Sequence, residues 1–134
     1  MQSVLLKSKS ETSRLKKGKN CALGKEGEDF SVDYLLRKGY KIIHRNFRLQ
    51  KREIDIIGLI GNELVFFEVK TRGGVFSGFP EESVNETKIC RLLEVAERYM
   101  ELYPSPDEFR LDVISLVKTK KGFRLTHFKD IEIS

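Results

Sequence analysis

The sequence predicts an α/β domain in which helices pack on a mixed β-sheet, and three observations predict it. Two stretches carry apolar residues at helical spacing, five shorter stretches are rich in Ile, Val and Phe or alternate apolar with polar, and their order along the chain is α-β-β-β-α-β-β. With 134 residues, 40% of them hydrophobic, the chain is long enough for one domain with a real core and too short for two of ordinary size.

Residues 1–19 are polar, basic and rich in Ser and Lys without a sustained period, so they are read as a flexible basic arm ahead of a single domain over 20–134. From Asn20, a good N-cap, the pattern turns helical: Leu23, Phe30 and Tyr34 recur at multiples of three and four, and Gly39 stands where a C-cap glycine belongs. This predicts a helix over 21–38. Strands are expected over 40–47, 53–60 and 63–71, and Gly61-Asn62 between the last two is a two-residue hairpin signal. A Gly-rich loop over 72–80 leads to a second helix capped by Asn85. Its expected buried stripe is Ile89, Leu92, Leu93, Ala96, Met100 and Tyr103, with Arg91, Glu94, Arg98 and Glu101 facing water. Pro104 and Pro106 end that helix, and strands over 109–118 and 123–128 follow around a Lys-Lys-Gly turn.

No apolar run approaches the roughly 20 residues that span a bilayer, and Val4-Leu5-Leu6 is too short for a secretory signal, so a cytoplasmic protein without a membrane partner is expected. Cys21 and Cys90 share no zinc-like spacing and are read as core or boundary residues; His44 and His127 are each alone in their segments and are read as packing residues. The net charge of +5 lies entirely within the first 20 residues, and the rest of the chain balances. Within that neutral body, Arg37, Lys38, Lys41, Arg45, Arg48, Lys51 and Arg52 form a run uninterrupted by any acid. A phosphate-rich partner fits both clusters, as a solvated tail and a solvated strand edge also would.

The chemistry concentrates on the second and third strands. Asp55, between Ile54 and Ile56-Ile57, needs a hydrogen-bonding, cationic or metal partner, because an isolated buried carboxylate is costly. With Gly61-Asn62 as the turn, cross-strand partners run 60 with 63, 59 with 64, and Asp55 with Glu68. Like charges so placed destabilise a sheet unless something offsets them, and a divalent cation does so with hard oxygen ligands. Lys70, two residues beyond Glu68, shares its face. A structural ion-pair cluster, with Glu53 facing Lys70, is the competing reading.

Glu53-Ile54-Asp55 followed by Phe67-Glu68-Val69-Lys70 resembles the paired strand motifs of the PD-(D/E)xK nuclease superfamily. With Gly24, Gly27-Glu28, Leu35, Gly39-Tyr40, Asn46, Lys88 and Arg110-Leu111-Asp112 added, the chain from about Gly24 to Phe128 resembles the bacterial YraN-like family, itself similar to archaeal Holliday junction resolvases. The resemblance implies a restriction-endonuclease-like fold. It also implies Mg²⁺ or Mn²⁺ held by Asp55, Glu68 and the Val69 carbonyl, Lys70 acting on the attacking water, and Glu28 as an added carboxylate. Three departures stand out: Arg52 where such sequences usually have Gly, Ile89 where they often have Gln, and no proline before Asp55.

The function expected from the resemblance is metal-dependent hydrolysis of phosphodiester bonds in DNA, branched or junction forms included, or in RNA, with DNA the first expectation. The phosphate backbone would be held by Arg37, Lys38, Lys41, Arg45, Arg48, Lys51, Arg52 and Lys88, by shape rather than base sequence. The alternative is a non-catalytic nucleic-acid-binding or interaction module that keeps the same fold. The sequence leaves open whether the protein forms a homodimer as the resolvases do.

Overall fold

The hairpin predicted at Gly61-Asn62 organises the sheet. Gly61 adopts φ 58° while Asn62 keeps a negative φ, the sign pattern of a turn whose twist matches its flanking strands. The computed structural model describes residues 2–4, 19–73, 86–103 and 108–132. In chain order the elements are β1 (Gln2–Val4), α1 (Lys19–Arg37), β2 (Lys41–Leu49), β3 (Arg52–Ile60), β4 (Glu63–Arg72), α2 (Glu86–Leu102), β5 (Phe109–Thr119) and β6 (Gly122–Phe128). They form one mixed six-stranded sheet in the order β1-β6-β5-β4-β3-β2. β4 and β5 pair in parallel and the other neighbours antiparallel.

The expected element order is present, with β1 added at its start. The sequence reading puts Gln2–Val4 in a structureless arm, whereas these residues pair with Phe123–Leu125 and cover the open edge of β6. A three-residue edge strand needs only backbone hydrogen bonds, so it leaves no apolar period to read. Helix α1 begins at Lys19, which places Asn20 inside its first turn rather than at its cap. The Gly-rich loop beyond Gly73, the Asn85 cap, Pro104 and Pro106 lie outside the described residues.

Alternating residues of β4 divide the core. Val65 and Phe67 pack with Phe30, Tyr34 and Leu35 of α1, while Leu64 and Phe66 pack with Ile89, Leu92 and Val95 of α2. The helices therefore cover opposite faces of the sheet. The buried stripe of α2 is Ile89, Leu92, Val95, Ala96 and Tyr99, so it runs beside the expected one. Leu93 and Met100 are half-buried and Tyr103 is exposed, because the sheet selects Val95 and Tyr99 from two adjacent apolar rows. Tyr99 and Tyr103 pack edge-on or tilted against His44 and Phe47 of β2, the packing role read for His44. Cys90 faces water, against the core or boundary position expected for it.

Gly27 fixes how closely α1 approaches the sheet. A Cβ there would overlap Thr71 Oγ1 and lie 2.9 Å from Thr71 Cγ2, so with Thr71 as it stands glycine lets the helix backbone rest against β4 at that level. The next residue, Glu28, is thereby brought beside the end of β4. Among the described residues no helix is long and apolar enough to cross a membrane.

Candidate active site

β3 and β4 pair in the predicted register, Ile60 with Glu63 through Ile56 with Phe67, and the ladder stops there. One step further on, Asp55 does not extend it with Glu68; its Oδ2 accepts the Val69 N–H at 2.8 Å. The cause is a slip in alternation. Ile54 and Ile57, three residues apart, both pack under α2, so Asp55 is the residue that breaks the period of two. β2 keeps its register at this level, its one irregularity against β3 lying between Ile42 and His44. Its pairs Arg45↔Ile56 and Phe47↔Ile54 leave Asn46 opposite Asp55, and Asn46 takes φ 53°, a left-handed conformation that Asn tolerates.

The slip places Asp55 on a ridge between two cavities. One, of about 450 Å³ on the α1 side, is lined by Glu28, Asn46, Glu53, Asp55, Val69 and Lys70 among others. The other, of about 600 Å³ on the α2 side, is lined by Arg52, Glu53, Asp55, Glu68, Lys88 and Arg91 among others. The predicted trio thus meets at one place, with Glu28 on its α1 side. Burial first and the Glu68 charge second push the Asp55 carboxyl up to about 7, against the opposing Val69 hydrogen bond. Burial, and then the charge of Lys88, lower the Lys70 ammonium.

Lys88 is the residue whose place the sequence reading missed. Expected on a phosphate backbone, it instead reaches from the first turn of α2 to Glu68 Oε2, at 2.8 Å. Burial would lower its ammonium, but the hydrogen bond and charge of Glu68 outweigh burial and raise it. Glu28 is held in place rather than free in solvent: its Oε1 accepts from Arg45 Nη2 at 2.9 Å and from Asn46 Nδ2 at 3.0 Å. Arg45 also bonds Asp29, and Arg52 pairs with Glu94. The basic run is therefore not one free surface. Arg37 and Lys38 end α1, Lys41 and Arg48 are exposed along the outer strand β2, and Lys51 sits in the β2–β3 turn, whereas Arg45 and Arg52 serve acids of the fold.

The donor set suits a hard divalent cation. Asp55 Oδ1 and Glu68 Oε1 have no protein partner among the described residues, while the second oxygen of each is oriented by Val69 N–H and by Lys88. No group of three or more His, Cys, Asp or Glu that would hold a metal occurs among the described residues. Two carboxylates, with a carbonyl, water or phosphate completing the shell, is the pattern Mg²⁺ accepts.

A second polar cluster lies at the other end of α1, built on the Arg110-Leu111-Asp112 motif. Asp112, buried on β5, accepts from Arg110 Nε at 2.9 Å, from His127 Nε2 at 2.7 Å and from the Asp130 N–H at 2.9 Å. Burial alone would raise its carboxyl, but these hydrogen bonds outweigh burial and lower it. His127 Nδ1 meets Tyr34 Oη at 2.9 Å, and Arg110 reaches Glu63 and Tyr40 Oη, each at 2.9 Å. The spacing Arg-x-Asp was visible in the sequence, but the partners on α1, β4 and β6 were not.

Residues 27–116 match the family described as Uncharacterised protein family UPF0102, to which the YraN-like sequences belong. The chain is 43% identical over 108 residues to a UPF0102 protein of Flavobacterium psychrophilum, covering 81% of this chain and 91% of that one. It is 42% identical to one of Bacteroides thetaiotaomicron, over 81% of this chain and 89% of the relative. It is 39% identical to one of Dictyoglomus thermophilum, over 77% and 88%.

Proposed function

We propose that this chain, which belongs to the UPF0102 family, hydrolyses phosphodiester bonds in nucleic acid, DNA before RNA, on a fold of the restriction-endonuclease-like type. The observation that carries the reading is the convergence of Asp55, Glu68 and Lys70 where two cavities meet, with one oxygen of each carboxylate positioned by the protein and the other open. The element order and the parallel β4–β5 pair, with helices on both faces, are compatible with that fold.

Asp55 and Glu68 would hold Mg²⁺ or Mn²⁺, with the Val69 carbonyl completing the protein ligands. When bound there, the cation would polarise the scissile phosphate and lower the pKa of the attacking water. Lys70, its ammonium lowered, is suited to orient that water or to stabilise charge growing on the phosphate. Lys88 holds Glu68 Oε2 and so aims its carboxylate. Glu28, clamped by Arg45 and Asn46, sets the charge of the rim on the α1 side.

A non-catalytic binding module is favoured by one observation, that Lys88 already neutralises Glu68 without any cation. A cleavage panel of junction, flap, single-stranded DNA and RNA substrates with Mg²⁺ and Mn²⁺ separates the readings. Hydrolysis by the parent and none by Asp55→Asn is expected; tight binding of a substrate with no metal-dependent cleavage of any of them would favour the module.

A further inference from the structure

We propose that the cavity at the C-terminal end of α1, far along that helix from the carboxylate pair, binds a phosphate group. It measures about 560 Å³ and is lined by Tyr34, Lys38, Tyr40, Arg110, His127 and Lys129, with Ile60 the one aliphatic side chain among the described lining residues. That volume lies in the range of small-ligand sites. The inference does not rest on the hydrolytic reading of the Asp55–Glu68 site.

The walls are set by the Asp112 cluster, and hydrogen-bond accounting shows what they have left to offer. Asp112 is an ionised acceptor, so His127 Nε2 must carry a hydrogen, and in that tautomer Nδ1 accepts the Tyr34 hydroxyl. Tyr40 Oη accepts from Arg110 Nη2 and so keeps its own O–H to donate. Burial raises both phenols first of all, so they stay protonated donors at neutral pH. Arg110 spends four N–H groups on Asp112, Glu63 and Tyr40 and retains one on Nη1.

These groups are rigid because they are buried. Tyr34 and Tyr40 are each 6% exposed and the His127 side chain 5%. At the mouth stand Lys38 and Lys129, neither with an acidic partner among the described residues, Lys38 lying 5.9 Å from the Tyr34 ring centre. Asp112 is consumed inside the network, so the concave surface presents ammonium, guanidinium and phenol donors with surplus positive charge. A tetrahedral oxyanion with several acceptors satisfies such a surface, and charge-assisted hydrogen bonds make it a strong ligand. Its phosphate could belong to a free nucleotide or to the backbone of a nucleic acid strand.

Titration with inorganic phosphate, thymidine monophosphate, thymidine and an oligothymidylate, all in EDTA, tests the site, with His127 imidazole NMR resonances as the local readout. Saturable binding of phosphate and the nucleotide, not of thymidine, with shifts at His127, is expected. Lys38→Gln and Lys129→Gln, both at the solvent-facing mouth, should each weaken it about tenfold, the cost of one charged hydrogen bond. Lys120→Gln and Lys121→Gln remove the same charge on the exposed β5–β6 turn and should change nothing. An oligonucleotide that binds more tightly than the nucleotide assigns the phosphate to a backbone; equal or weaker binding assigns it to a free nucleotide. The proposal is overturned by no saturable binding, by thymidine binding as well as its phosphate, or by equal losses in the cavity and turn variants. Because no divalent ion is present, these outcomes are independent of whether the protein cleaves anything.

Discussion

At the scale of single residues, Asp55 is the group whose ionisation the fold opposes most directly. Its carboxyl is pushed up from 3.8 to about 7 by burial and then by Glu68. Between those values the folded protein keeps a proton that the unfolded chain has released. The stabilisation is fully present below the unfolded pKa and is lost as pH rises through about 7. At 1.36 kcal/mol per pKa unit, the loss relative to an ordinary carboxylate is on the order of 4 kcal/mol. Asp55→Asn keeps an acceptor for the Val69 N–H and cannot ionise, so in EDTA it should gain on the parent between about pH 5 and about pH 8 in urea melts. A variant less stable than the parent at both values would instead make Asp55 the anchor of a structural ion-pair cluster. Excess Mn²⁺ should stabilise the parent at neutral pH, by about 2.7 kcal/mol at 100 times its dissociation constant, and leave Asp55→Asn unmoved. A parent indifferent to Mn²⁺ in thermal melts would remove the metal from the site. Turn arithmetic and strand alternation pointed to the region that Asp55, Glu68 and Lys70 share, but not to the missing Asp55–Glu68 pair, since Asp55 takes the Val69 N–H instead. The capture of Glu68 by Lys88 was not legible either, because nothing in the sequence aims one residue of a helix at one residue of a strand 20 positions earlier.

Among elements, the contact of α1 with β4 decides where Glu28 stands. Gly27→Ala would drive a methyl group into Thr71, and either the helix withdraws or the threonine turns. Overpacking of this kind costs about 1–3 kcal/mol. Pairing it with Thr71→Ala removes both of the atoms approached most closely, so the double variant should recover most of the lost stability in urea melts. Independent, additive losses would show that the helix does not rest on Thr71. The elements themselves were readable because α2 and most strands carry a clear apolar period and α1 a weaker one. What period alone could not supply was the choice between neighbouring rows, as with Val95 and Tyr99 on α2, or a strand as short as Gln2–Val4, which borrows its order from β6.

Over the whole molecule, the sequence reveals where charge lies but not which charges the fold has already used. Arg45 and Arg52 belong to the basic run, yet their partners Glu28, Asp29 and Glu94 sit on the two helices, out of reach of any local reading. Beyond Arg37 and Lys38 at the end of α1, the exposed remainder follows the outer strand β2, with Arg48 near its site-proximal end and Lys51 in the turn to β3. Phosphates drawn to that edge would lie beside the ridge that holds Asp55, since Asn46 of β2 faces it. Binding driven by such contacts releases counterions, so the logarithm of affinity should fall linearly with the logarithm of salt concentration, by about 0.9 for each duplex phosphate neutralised. Arg48→Gln with Lys51→Gln should therefore weaken binding of junction or duplex DNA across unrelated sequences and lower the salt slope by about 2. Fluorescence anisotropy in EDTA measures this without cleavage and without the cation. An affinity indifferent to salt would remove nucleic acid from the reading altogether. A steep slope unchanged in the double variant would move the interface away from β2, to the basic residues that precede α1.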